Sequence, residues 1–258
     1  MSFGLKNLRL TIAFLAAMPG WMQLSRAQDQ VPSDWSGRYT MARGADLRGF
    51  QPVNQRLDDV VMKALQPWAR LKIAETNGVA DDTGAVCNLA GLFRHLSVLG
   101  NFYWIPGDGK IIMAASMEVE IAGVRRIYLN RGHPPNLPHT WLGDSVGHWE
   151  GDTLVVDTTG FNDKSWLMSG MEPHTEELHV VERFRQVAPG LLEIQTTVDD
   201  RKALTTPYTY TRYEKKVNSE APEQICNGDP GEQAEWVGFQ KSAIKHPPTL
   251  AAAAENEK

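Results

Sequence analysis

From residue 99 to residue 215 the chain is cut into short runs rich in Val, Ile, Thr and aromatic residues, with turn-forming residues between them. Runs recurring at roughly eight- to twelve-residue intervals are the punctuation of an all-β fold. The candidate strands are 99–105, 110–119, 124–130, 145–149, 153–159, 177–187, 191–198 and 208–215. The turns carry their own chemistry. Gly107-Asp108-Gly109 and Pro189-Gly190 are turn formers, and Gly151-Asp152 makes a two-residue hairpin loop that tolerates positive φ. Strands in sequential hairpins predict an antiparallel, lipocalin-like up-and-down barrel or a strongly curled sheet, because closure removes the exposed edges. A barrel of eight strands has room inside for one small ligand.

The sequence ahead of the strands is different in kind. Residues 28–55 are polar and rich in turn formers, with Trp35-Ser36-Gly37-Arg38-Tyr39 the one short strand they suggest. Over 57–73, apolar residues at 57, 60, 61, 64, 65 and 68 follow the i, i+3, i+4, i+7 rule of an amphipathic helix, which Pro67 kinks or splits. Such a stripe either covers a face or end of the sheet or receives a partner. The chain therefore reads as one β-rich domain over 28–243 and a disordered tail over 244–258, which contains four consecutive alanines.

Lys6 and Arg9 precede an apolar run over 10–18, followed by Pro19, Gly20 and a small-x-small ending at Ser25 and Ala27. This is the pattern of a signal peptide over 1–27, with export to the periplasm or beyond as its consequence. The apolar run is far shorter than the ~20 residues of a membrane-spanning helix, and no later segment is apolar enough to span. Losing Lys6, Arg9 and Arg26 takes the formal charge from −5 to −8, so nucleic acid and anionic membrane surfaces are poor partners. Cys87 and Cys226 are the only cysteines. In an oxidising compartment an isolated pair reads first as a disulfide, worth on the order of 4–5 kcal/mol by loop entropy.

Three blocks stand out along the β region. They are NRGHP at 130–134, WEGDTLVVDTTGFNDK at 149–164 with Trp166 next, and PHTEELHVVER at 173–183. In these blocks, within the span 85–215, the chain resembles a large group of exported bacterial proteins. The likeness thins around Cys87, where NLAGLFR at 88–94 lacks the proline-rich run of that group. The resemblance implies export and a β-rich fold, and it brings no catalytic residues with it.

Five of the seven histidines, at 133, 139, 148, 174 and 179, fall between His133 and Arg183, interleaved with carboxylates, prolines and tryptophans. In a strand at 177–187, Leu178, Val180, Glu182 and Phe184 share one face, while His179, Val181 and Arg183 share the other. Glu182 on an apolar face is either desolvated and tuned for acid/base work or paired with an arginine such as Arg125, Arg126 or Arg212. His174 and His179 flank the start of this strand, and Asp163 lies in the irregular connection before it; either is a general base if a carboxylate orients it. The run from His133 to Trp141 holds three prolines, so it is a stiff excursion able to hold His133 in place. Trp141, Trp149 and Trp166 are candidate walls for an apolar ligand, or simply core.

No compact histidine spacing for a metal, no Gly-x-Ser-x-Gly elbow around Ser145 or Ser165, and no phosphate or dinucleotide loop is present, so neither metal nor cofactor is called for. Two main readings remain. One is a cofactor-independent enzyme doing acid/base chemistry (elimination, isomerisation or hydration) on a small apolar or aromatic molecule. In it His174 or His179 is the base, Asp163 or Glu182 its orienter, and Arg183 or His133 the stabiliser of developing negative charge. The other is a non-catalytic small-molecule carrier, with a metal-dependent hydrolase or a purely structural protein third. Histidines converging with a carboxylate in the cavity favour the enzyme; an apolar cavity without them favours the carrier.

Overall fold

The computed structural model describes residues 32–50, 57–78, 81–83, 89–94, 102–115, 123–167 and 171–221. The expected signal peptide over 1–27, the expected tail over 244–258, and both Cys87 and Cys226 with their expected disulfide lie outside the described residues. Nine strands close into a barrel in sequence order: β1 (Gly37–Met41), β2 (Phe102–Gly107), β3 (Lys110–Ala115), β4 (Val124–Leu129), β5 (Asp144–Glu150), β6 (Thr153–Thr159), β7 (His179–Ala188), β8 (Leu191–Asp199) and β9 (Tyr208–Val217). The eight-strand expectation is one short. The segment around Trp35–Tyr39 supplies the missing strand, which pairs with β2 on one side and β9 on the other and so removes both edges.

The purely up-and-down pattern is also broken once. Neighbouring strands are antiparallel except β4 and β5, which run parallel, with Ile127 opposite Ser145. Parallel neighbours cannot share a tight turn. The chain between them, 130–143, is the proline-rich excursion, which has to travel back along the barrel before β5 begins. Its far part docks at the end of β6, where Thr140 donates to the Gly160 carbonyl and Asn162 donates to the Thr140 carbonyl.

The hairpin β5–β6 turns at Gly151, whose φ of +65° is the left-handed conformation that the turn requires. Alternation then sets the two faces: in β7, Val180, Glu182 and Phe184 are buried, while His179, Val181 and Arg183 are not. Inside the barrel, Trp104, Ile111, Leu154, Phe184 and Leu192 form an apolar core. Trp35 packs on it, edge-on to Trp104 at 5.6 Å and to Trp149 at 5.4 Å.

The segment expected as a helix kinked or split at Pro67 is split, into α1 (Leu57–Ala64) and α2 (Pro67–Glu75). Pro67 is the reason. Its ring excludes the helical conformation at Gln66, which is extended at φ −62°, ψ 154°, and its missing N–H costs nothing at the first position of α2. Helix α1 turns Val61 and Ala64 inward, with Leu65 buried just after it, and packs against β9.

Candidate functional site

The ionisable residues of interest fall into three separate places. Inside the barrel, Arg125 of β4 is buried at 4 % exposure and reaches Glu182, which is 2 % exposed, with Nη2 2.5 Å from the carboxylate. Its other donors go to Ser145 Oγ and Thr158 Oγ1, each at 2.9 Å. The second Glu182 oxygen faces Arg212 at 3.8 Å, and Arg212 Nε in turn lies 3.3 Å from Glu214. Glu182 is thus a buried counter-ion between two guanidiniums. Glu214 is completely buried, and burial pushes its carboxyl up to about 8 against the opposing pull of Arg212 and Arg43.

On the outer face a chain of alternating basic and acidic side chains runs from Arg131 through Asp144, His133 and Asp157 to His179. His133 Nδ1 lies at hydrogen-bond distance from Asp144, 2.7 Å, and Nε2 from Asp157, 2.9 Å, so the ring bridges two carboxylates. The other Asp157 oxygen accepts from His179 Nε2 at 2.8 Å. The hydrogen bond from His179 holds the Asp157 carboxyl below its ordinary range, and the same bond raises His179 above its own. The chain clamps the proline excursion against β6 and β7, with His179 about two-fifths exposed.

His174 stands apart. It is 3 % exposed, and burial lowers its pKa, so the ring is neutral; Nδ1 donates to the Thr175 carbonyl, and Nε2 accepts from Ser165 Oγ at 2.8 Å. Ser165 is itself buried under Gly91, where a Cβ would come within 2.3 Å of its hydroxyl. Only a glycine fits at 91 beside that hydroxyl.

The structure therefore does not gather His133, Asp163, His174, His179, Glu182 and Arg183 into one cavity. Asp163 is exposed, and Arg183 pairs with Glu150 on the surface at 2.7 Å. Nor do the tryptophans share a wall: Trp149 packs on Trp35, Trp166 lies under the Arg94 guanidinium at 5.4 Å, and Trp141 is half-buried in the excursion. Asp157 and Asp144, which orient the histidines, were missed because the sequence signal for them is only their alternation in β5 and β6. Among the described residues no three His, Cys, Asp or Glu side chains are arranged to hold a metal ion.

A cavity does exist, at the barrel seam. Strand β1 stops at Met41, so it pairs only with residues 214–217 of β9, while β9 runs on to Tyr208. Along the uncovered edge the chain after β1 and the start of α1 lie across the gap, leaving a cavity of about 410 Å³. Met41, Leu47, Leu57, Tyr210 and Tyr213 make its lining mainly apolar. Arg43 at the rim and the buried Arg212 are its charged members. Compared with known proteins, the chain matches no family model, no curated protein and no solved structure.

Proposed function

We propose that this protein is an exported, non-catalytic carrier that holds a small, mainly apolar molecule in the seam cavity between β1 and β9. The observation that carries the reading is the cavity itself. Its volume lies in the range of ligand sites, roughly 300–1,000 Å³, its lining is mainly apolar, and no histidine among the described residues lines it. The strands of a closed barrel present a ligand with a rigid wall, so little ordering cost is paid on binding.

The test is fluorescence titration with N-phenyl-1-naphthylamine, a neutral apolar dye that brightens on leaving water. Saturable binding at one site is expected, and it should be lost in Thr211→Trp, which fills the cavity from β9. Absence of saturable binding, or binding untouched by that substitution, overturns the reading. Acid/base catalysis is the second reading, favoured by the pair in which Asp157 orients His179, whose pKa is raised. It requires the ligand to sit against the outer face of β6 and β7 rather than at the seam.

A further inference from the structure

We infer that the ligand of the seam cavity carries an anionic group, a carboxylate, sulfonate or phosphate, received by Arg212 and Arg43. The inference rests on the carrier reading and names the chemistry of its ligand. Arg212 is 7 % exposed, it lines the cavity, and among the described residues its Nε and Nη2 have no well-aligned hydrogen-bond partner. The contacts it does make leave it under-satisfied: Thr196 Oγ1 at 3.4 Å, Glu214 at 3.3 Å and Glu182 at 3.8 Å are all long for a guanidinium fork. A buried donor without an acceptor is costly, and an acceptor arriving with the ligand relieves that cost.

The charges around the cavity point the same way. Arg43 stands at the rim, Arg212 in the lining, and Arg125 behind it within the same buried network. Against these three guanidiniums stand Glu182 and Glu214, and the burial of Glu214 keeps it protonated near neutral pH. Among the described residues, two further acids near the lining are each paired with a cation, Asp46 with Lys215 at 2.8 Å and Glu193 with Arg185 at 2.8 Å. An anion therefore meets an excess of positive charge in a mainly apolar enclosure, where screening by salt is weak. The apolar body of the ligand then lies on Leu47, Leu57 and Tyr210.

Two dyes with the same apolar body separate the ligand's charge from its apolar fit. N-phenyl-1-naphthylamine is neutral, and 8-anilinonaphthalene-1-sulfonate adds one anionic group to it. The sulfonate should bind the intact protein about tenfold or more tightly than the neutral dye, the factor expected of one charge-assisted contact. Arg43→Ala removes the charge at the exposed rim; it should weaken the sulfonate severalfold more than it weakens the neutral dye. Arg212→Gln should remove the preference altogether if the barrel folds. Equal affinity for the two dyes overturns the anion inference and leaves the carrier reading standing. Sulfonate binding that persists in Thr211→Trp lies elsewhere and overturns it as well, and failure of both dyes to bind overturns both.

Discussion

Replacing Glu182 with Leu should be among the most damaging single changes in the barrel. Its carboxylate is 2 % exposed and sits between Arg125 at 2.5 Å and Arg212 at 3.8 Å, which are themselves 4 % and 7 % exposed. Removing it strands Arg125 without a counter-charge and leaves Arg212 only Glu214, which is protonated near neutral pH. Breaking a buried ion pair from one side costs about 3–5 kcal/mol, a large part of the ~5–15 kcal/mol that holds a domain folded. In urea unfolding with a slope near ~2 kcal/mol/M, that is a midpoint lowered by about 2 M. The double variant Arg125→Met/Glu182→Leu removes charge and counter-charge together, while Ser145 and Thr158 keep their mutual hydrogen bond at 3.0 Å. It should therefore recover much of the loss, with a coupling of at least ~1.5 kcal/mol in the cycle. A single variant within about 1 kcal/mol of the parent, or a double variant equal to the sum of the singles, would refute the reasoning.

Thermal melts across pH test the outer chain. His179 is raised above 6.5, so its share of stability is whole below 6.5 and fades as pH climbs through the raised value; Asp157 is lowered below 3.8, so its share is whole above 3.8 and fades on acidification. His179→Ala should thus be most destabilising between about pH 4 and 6.5, with the gap to the parent narrowing above that. Glu214 behaves oppositely: with a folded value near 8 against 4.5 unfolded, the native state holds the extra proton, and parental stability should fall as pH rises from 4.5 to 8. Glu214→Gln should flatten that slope and be the more stable form at pH 9; an unchanged slope would count against the burial argument. Gly91→Ala should lower the melting temperature, by about 1–3 kcal/mol in stability, because φ is +87° and the new Cβ meets Ser165 at 2.3 Å.

The strands were legible because period-2 alternation and hairpin glycines act locally. Strand β6 has the bounds expected for it, and the faces of β7 are those that alternation assigns. What a single sequence does not hold is register across long connections. Nothing local tells that Asp157 on β6 lies between His133, from a loop that runs the length of the barrel, and His179, which follows the long connection after Thr159. The pairing of Glu182 with an arginine was open to reasoning, since an apolar face with one carboxylate demands a counter-charge; choosing Arg125 and Arg212 over Arg126 needed the barrel closed. The seam was hidden for a related reason. Strand β1 looked like an isolated fragment in a polar stretch, so the gap left by its shortness beside β9, and with it Arg43 and Arg212 as cavity residues, had no sequence signal.

The most direct test of the carrier account is amide chemical-shift mapping of the labelled protein titrated with N-phenyl-1-naphthylamine. The account predicts saturable shifts centred on Ala42, Arg43 and residues 210–213. Shifts centred instead on His133, Asp157 and His179 would contradict it and move the chemistry to the outer face of the barrel.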